Sequence, residues 1–248
     1  MRVALFATCL ADRLYAEACA DTVRLLRHVG ATVEVPPGQT CCGQPALNAG
    51  HVREARRMAA RTLEVLYGAD YVVLPSGSCA AMIRHHLPGL LDGAERARAE
   101  RLAARTWELS QFLVRVAGAE RLGDGLRGRR VAYHHGCHAL RQLGVHDEPV
   151  ALLRAAGADV VPWEADRECC GFGGLFSVEL PVVSAGMADR KLDTLPHVDC
   201  VVSADAGCLA QLSGRAGRRG PPLSFRHLAS VLWEGVRGAD ASSHGVAS

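Results

Sequence analysis

The sequence predicts an α/β protein of two pseudo-repeated α/β lobes with mostly parallel sheets, in which cysteine-bearing loops lie at the interface between the lobes. Two observations lead to this prediction. Short apolar runs alternate with segments of helical periodicity, as expected where helices connect parallel strands. The order of these segments in residues 1–122 also recurs in residues 130–238, so we expect two copies of one unit.

The first repeat, residues 1–122, begins with a short apolar run before Cys9 that is typical of a buried strand. Gly30 ends the helix that follows, and the Pro-Pro-Gly run at 36–38 interrupts the chain just before a Cys-Cys-Gly sequence. We predict strands at residues 3–6, 32–35 and 71–74 and helices at 10–29, 46–67, 79–86, 94–104 and 109–116.

The second repeat, residues 130–238, follows a seam at 123–129 that is rich in glycine and arginine. It shows the same order of elements, which supports a duplication. We predict strands at 131–134 and 199–202, a segment at 157–160 that matches 30–33, and helices at 138–156 (with a break near 144–149), 181–195 and 228–236. The small and polar residues of 239–248 predict a flexible tail.

Composition narrows the class of protein. The chain has 28 lysines and arginines against 26 aspartates and glutamates, and this near balance argues against nucleic acid as the principal partner. The N-terminus lacks the features of a signal peptide, and no apolar segment approaches the roughly 18–20 residues that span a bilayer. We therefore expect a cytoplasmic protein with no membrane span, whose reduced cysteines serve metal binding or catalysis rather than disulfides.

Eight of the ten cysteines form two copies of one pattern: a single cysteine, a Cys-Cys-Gly sequence and another single cysteine. Corresponding cysteines are 128 residues apart at the first three positions and 129 at the fourth, a regularity that chance does not reproduce. The outer cysteines follow predicted strands, at the sheet edge where open α/β proteins bind ligands. Cys19 and Cys200 fall outside the pattern and are expected to lie in the core. The candidate metal ligands are Cys9, Cys41, Cys42, Cys79, Cys137, Cys169, Cys170 and Cys208.

Adjacent cysteines favour an iron–sulfur cluster over a single zinc ion. The short backbone link makes it difficult for both sulfurs to reach one tetrahedral ion, whereas neighbouring thiolates can bind different irons of a cluster. Gly43 and Gly171, which follow the pairs, allow tight turns and a close approach of backbone N–H groups to the cofactor. Two zinc sites, a single occupied cluster and a metal-free thiol enzyme are the alternatives that the residues leave open.

The pattern and its copy resemble the cysteine-rich CCG domain. This domain occurs in heterodisulfide reductases and in the iron–sulfur subunits of glycolate oxidase and anaerobic glycerol-3-phosphate dehydrogenase. The segments 75–79, 169–174, 184–189 and 207–209 are most similar to the lactate-utilisation subunits of this family. The resemblance covers residues 3–232 and its motifs are specific.

The resemblance implies an iron–sulfur electron-transfer subunit with one or two clusters. Its complex would be of the L-lactate dehydrogenase type and would oxidise L-lactate, or a related 2-hydroxy acid, to pyruvate. The implied partners are a ferredoxin-domain subunit and a third small subunit. The alternatives are a disulfide- or quinone-reducing subunit of the heterodisulfide reductase type and, from another class, a zinc-stabilised interaction module.

The chain departs from the fuller family pattern at two positions. That pattern ends in C-x-x-C, but Ser76 and Asp205 replace the first of those cysteines. With four cysteines at each site rather than five, we expect a [4Fe–4S] cluster, or one altered by an oxygen or histidine ligand, rather than the larger non-cubane type. Ser76 and Asp205 are therefore candidate cofactor contacts, and so are His135 and His138, which flank Cys137.

Overall fold

The computed structural model of the chain describes residues 1–220 and 223–244. It contains two four-stranded sheets in which all paired strands are parallel. The first sheet has the order β2-β1-β3-β4, and the second has the equivalent order β6-β5-β7-β8. The strands are β1 (Arg2–Leu5), β2 (Thr32–Glu34), β3 (Tyr71–Leu74), β4 (Thr106–Glu108), β5 (Arg130–Tyr133), β6 (Asp159–Val160), β7 (Cys200–Ser203) and β8 (Ser224–His227). The α/β class, the parallel sheets and the duplication are confirmed.

Helices connect the strands in both repeats. The helices of the first repeat are α1 (Cys9–Leu14), α2 (Ala16–His28), α3 (Gln44–Asn48), α4 (Val52–Leu66), α5 (Gly77–Ala81), α6 (Leu87–Leu90), α7 (Gly93–Ala104) and α8 (Leu109–Gln111), with π-helical turns at Met82–His86 and Phe112–Val116. The second repeat has a π-helical turn at Ala139–Leu143, followed by α9 (Glu148–Ala155), α10 (Phe176–Glu179), α11 (Pro181–Asp193), α12 (Ala206–Ala216) and α13 (Leu228–His244).

Two edge strands differ from the expectation. β4 and β8 complete the two sheets, but the sequence predicts neither of them. β4 has three residues between two helices, too few to show the alternation that marks a strand, and it forms because Val72–Leu74 of β3 offers it a parallel partner. At the C-terminus α13 continues to His244, into the segment predicted to be a flexible tail, while 221–222 and 245–248 lie outside the described residues.

The two repeats share a hydrophobic core cluster. Its buried members come from both sheets, with Val3 and Val73 in the first and Val131 and Val202 in the second. Helices also pack across the interface between the repeats. α5 packs on the π-helical turn after Cys137, and α12 packs on α1. These contacts bring the carboxyl ends of β1, β3, β5 and β7 towards one place. Among the described residues, no helix has the length and apolar character needed to cross a membrane.

The close packing of α5 against the second repeat depends on one small residue. A Cβ on Gly77 of α5 would lie 2.4 Å from the Cβ of Ala139 and 3.0 Å from its Cα, a distance that real structures do not tolerate. A side chain here would push α5 away from the second repeat, and with it the cysteine that α5 carries.

Candidate metal centre

All eight patterned cysteines line one cavity of about 230 Å³ between the two repeats. The outer cysteines come from the turns and helices that follow β1, β3, β5 and β7, and the paired cysteines come from the two Cys-Cys-Gly loops. We call Cys9, Cys41, Cys42 and Cys79 the first cysteine set, and Cys137, Cys169, Cys170 and Cys208 the second. The interface location predicted for the cysteine loops is confirmed.

In the first set the deepest sulfurs are those of Cys42 and Cys79, which are both buried and lie 3.3 Å apart. Cys41 is half-buried and accepts a hydrogen bond from the backbone N–H of Gly43, 3.5 Å from its sulfur. Gly43 can make this turn because it has a φ of +91°, in the left-handed region. Cys9 completes the set at the exposed side of the cavity.

The second set repeats this geometry. The sulfurs of Cys170 and Cys208 are buried and 2.9 Å apart, and Gly171, at a φ of +83°, donates its N–H to the sulfur of Cys169 at 3.4 Å. A disulfide bond would require about 2.05 Å between sulfurs, and all ten cysteines of the chain are free thiols. The two other cysteines, Cys19 and Cys200, are buried, as expected of core residues.

Hydrogen bonds within each set favour one thiolate. Hydrogen bonding with Cys42 and Cys9 lowers the pKa of Cys41 to about 2. In the second set the equivalent thiols lower the pKa of Cys169 to about 2 in the same way. The other thiols of the hydrogen-bonded groups, those of Cys9, Cys42, Cys137 and Cys170, have raised pKa values because hydrogen bonding and burial both favour the protonated form. Metals bind the thiolate form, so occupation of either set must release protons.

The donor types decide which group fits the cavity. Thiolates are soft ligands that select zinc, copper(I) or iron–sulfur clusters over magnesium or calcium. Two sets of four sulfurs, each with a backbone N–H directed at one of them, match a thiolate-bound metal group in each repeat. The residues present therefore fit a metal group, and they fit it twice.

Ser76 and Asp205 both line the cavity, and they bind each other. The hydroxyl of Ser76 donates to Oδ1 of Asp205 at 2.9 Å, and the backbone N–H and hydroxyl of Ser78 donate to the same oxygen at 3.1 and 3.0 Å. Ser76 also accepts from the backbone N–H of Cys79 at 3.3 Å and caps α5. The two side chains thus join the repeats directly behind the cysteines, while their contact with a cofactor stays a prediction.

The two predicted histidines differ in position. His138 lines the cavity, with Nδ1 3.6 Å from the sulfur of Cys137. The ring of His135 lies instead against the ring of Tyr133, at a centroid distance of 4.8 Å, and its Nε2 is 3.8 Å from Asp166. Burial lowers the pKa of both histidines. A role in cofactor binding stays a prediction for each.

A third histidine, His134, is closest to the deep sulfurs. Its ring is fully buried, and a ring nitrogen and the sulfurs of Cys170 and Cys208 all lie within 4.8 Å of one another. Neither ring nitrogen has a hydrogen-bond partner in the described part of the chain, and burial lowers the pKa of His134 so that the ring is neutral. The cysteine pattern does not single out His134, although the alternation of side chains along β5 indicates its position. Ala132 faces the core cluster that contains both cysteines, and a residue two positions on faces the same side.

The duplicated parallel α/β fold and the two cysteine sets together define a class of protein. Its members are cysteine-rich α/β proteins whose thiols converge for metal binding. The family model of the cysteine-rich (CCG) domain matches the chain twice, at residues 3–84 and 131–213. "Lactate utilization protein A" of Geobacillus kaustophilus is 45% identical over 237 residues, covering 94% of this chain and 98% of that protein. The proteins of the same name from Geobacillus sp. strain WCH70 and Bacillus licheniformis are 43% and 41% identical, each over 94% of this chain and 99% of its own length. The chain therefore belongs to the cysteine-rich domain family and, within it, to the lactate utilization protein A group.

One solved structure is similar at a much lower level. A liganded mutant of arylmalonate decarboxylase aligns with a TM-score of 0.27 and 14% identity over 100% of this chain and 94% of that chain. A score at this level supports no structural or functional argument.

Proposed function

We propose that the chain is an iron–sulfur electron-transfer subunit that holds a [4Fe–4S] cluster in each of its two cysteine sets. The observation that carries the proposal is the convergence of eight thiols, in two equivalent sets of four, on one cavity of about 230 Å³. Four thiolates are the usual ligand number of a [4Fe–4S] cluster. A mononuclear zinc site would have to draw both members of an adjacent cysteine pair onto one ion.

The residues of the chain have distinct tasks in this proposal. The cysteines would bind the irons, and the N–H groups of Gly43 and Gly171 would stabilise the negative charge on the sulfurs. Ser76 and Asp205 hold the two repeats together at the wall of the cavity, which fixes the distance between the sets. When bound, the clusters supply reversible one-electron transfer. Because both sets line the same cavity, an electron on one set would have a short path to the other.

The substrate assignment rests on the relatives' printed name, which refers to lactate utilization. Oxidation of L-lactate to pyruvate releases two electrons and two protons, and two one-electron sites can take both electrons. The proposal requires partners, namely a ferredoxin-domain subunit that exchanges electrons with this chain and a third small subunit. We place the complex in the cytoplasm, where the thiols stay reduced before the clusters are assembled.

Anaerobic purification followed by iron and sulfide assays and by visible and EPR spectra tests the proposal. About eight irons and eight sulfides per chain, with the absorption of iron–sulfur clusters, would support it. If the purified protein is colourless and contains zinc, the proposal is wrong and the chain is an interaction module stabilised by zinc. If the protein contains no metal after anaerobic handling, the proposal is wrong and the chain is a thiol enzyme. Pyruvate formation from L-lactate by the chain together with its partner subunits, and its loss without this chain, tests the substrate assignment.

A further inference from the structure

The two cysteine sets have different surroundings, although the repeats are equivalent in fold. Two pairs of corresponding residues account for the difference. Phe6 follows β1 where His134 follows β5, at a spacing of 128 residues. Thr62 of α4 corresponds to Lys191 of α11, at a spacing of 129 residues. At these two positions the first repeat carries an aromatic ring and a hydroxyl, and the second repeat carries an imidazole and an ammonium group.

Lys191 is a buried cation that has no carboxylate partner among the described residues. Its relative exposure is 0%, and its ammonium group donates a hydrogen bond to the carbonyl oxygen of Ala165 and lies 4.1 Å from the ring centroid of Trp163. Burying a charge without an opposite charge is costly, so the fold needs a nearby source of negative charge.

Two cysteines of the second set, Cys170 and Cys208, act electrostatically on Lys191, as do Asp166 and Glu168. Burial lowers the pKa of Lys191 to about 8, and the charges that Cys170 and Asp166 carry when they are deprotonated oppose that decrease. The ammonium group therefore remains protonated at neutral pH. A cluster bound by four thiolates carries net negative charge, so an occupied second set would compensate the ammonium group directly.

His134 supplies a second difference. One ring nitrogen lies within 4.8 Å of the sulfurs of Cys170 and Cys208, and both nitrogens lack partners among the described residues. An imidazole has at least one N–H to donate in either charge state, and an N–H directed at a ligand sulfur stabilises added negative charge. The phenyl ring of Phe6, which is buried in the cluster that contains Cys42 and Cys79, offers no donor to the first set.

We propose that the second cysteine set is the site of higher reduction potential, and that Lys191 and His134 set this order by stabilising the reduced state. This inference rests on the proposed function, in which both sets hold a cluster. Reduction adds one electron to a set, and no covalent bond forms or breaks. Because a nearby cation and an N–H donor favour the more negative state, the first electron goes to the second set. Electrons that enter at the first set move downhill to the second.

Potentiometric titration of the anaerobically purified protein with dithionite, followed by EPR, tests the order. Cys42→Ser and Cys170→Ser variants assign the signals, because each retains one set. We expect the set that survives in Cys42→Ser to have the higher midpoint potential. Lys191→Met and His134→Phe should each lower that midpoint and leave the other unchanged. Lys191→Arg keeps the charge and should therefore keep the midpoint potential of the second set at its native value. Thr62→Met, at the corresponding position of the first repeat, is the matched control and should shift neither midpoint potential.

The outcomes separate the two proposals. Equal midpoints, a higher midpoint for the first set, or a Lys191→Met protein with full iron and an unchanged midpoint would overturn the inference and leave the proposed function intact. Protein that contains no iron and sulfide would overturn the proposed function, and the inference with it. Iron content and circular dichroism of each variant show whether it is folded and loaded before its potential is compared.

Discussion

Ser76 of the first repeat donates its hydroxyl hydrogen to Oδ1 of Asp205 in the second repeat at 2.9 Å, across 129 residues of sequence. The same spacing separates Cys79 from Cys208. Ser76 and Asp205 therefore occupy equivalent positions in the two repeats, and they meet where the repeats face each other. Both side chains are buried. The positions at which the fuller family pattern has a cysteine are thus used here to join the two halves.

Replacement of Asp205 should therefore weaken the whole protein. Asp205→Ala removes the acceptor of three hydrogen bonds, which come from the buried hydroxyl of Ser76 and from the half-buried hydroxyl and backbone N–H of Ser78. We expect a loss of about 2 kcal/mol or more, which corresponds to about 4–8 °C in Tm for a chain of this size. Anaerobic thermal melting followed by circular dichroism measures it. Asp205→Asn keeps the accepting oxygen and should lose clearly less; equal losses would show that these hydrogen bonds do not join the repeats.

Single cysteine replacements should empty one set at a time. We expect Cys42→Ser and Cys170→Ser each to lose about half of the iron, because serine is a poor ligand for iron in place of a thiolate and the two sets are separate. Iron and sulfide per chain, measured after anaerobic purification, give the result. Cys19→Ser is the control, since Cys19 is buried outside both sets and its loss should leave the iron content unchanged. Full iron in both set variants would contradict the assignment of these ligands.

The two glycines that follow the cysteine pairs should not tolerate alanine equally. Both adopt left-handed φ values, which costs a side chain about 1–2 kcal/mol. In addition, a Cβ on Gly171 would lie 2.5 Å from the carbonyl oxygen of Ser184, whereas on Gly43 its nearest neighbour is the Cβ of Met58 at 3.3 Å. Gly171→Ala should therefore lower the Tm further than Gly43→Ala and lose iron from the second set. Identical behaviour in melting and iron assays would mean that the Ser184 contact is unimportant.

Stability should depend on pH through Glu108. Its carboxylate is fully buried and accepts from the backbone N–H groups of Ser110 and Gln111, yet burial raises its pKa from 4.5 to about 7. The folded state then binds the proton more tightly than the unfolded state. The contribution is fully present below about pH 4.5 and is lost as the pH rises through about 7, on the order of 3 kcal/mol in total.

Melting temperatures between pH 5 and pH 8, compared for the native chain and Glu108→Gln, test this dependence. The glutamine side chain cannot titrate, so the variant should show a flatter profile over that range while keeping an oxygen that accepts the two N–H groups. A variant with the same slope as the native chain would assign the pH dependence to other groups.

The sequence carries most of the fold and the identity of the thiols. Apolar runs before Cys9 and Cys137, and the constant spacing of the cysteines, are enough to place both sets at the carboxyl edges of two parallel sheets. The Ser76–Asp205 hydrogen bond is different, because it depends on how two equivalent edges face each other, and no pattern within one repeat encodes that orientation.

The histidines show a second limit. His135 and His138 are close neighbours of a candidate ligand on either side, but proximity in sequence does not determine which face of a strand a side chain occupies. Alternation along β5 places His135 with Tyr133 and directs His134 to the side of the deep cysteines. Lys191 could not be selected at all, because only the packing of α11 shows that its ammonium group is buried beside the second set.

The reciprocal packing of helices between the repeats bears on how such a chain originates. α5 covers the turn after Cys137, and α12 covers α1 in the equivalent way, so a half-length chain would leave both surfaces bare. Two identical half-length chains could cover each other by the same reciprocal packing, as a twofold homodimer with two identical sites. Fusion into one gene frees the halves from that identity. Within one chain, a lysine or histidine can appear beside one site without appearing beside the other.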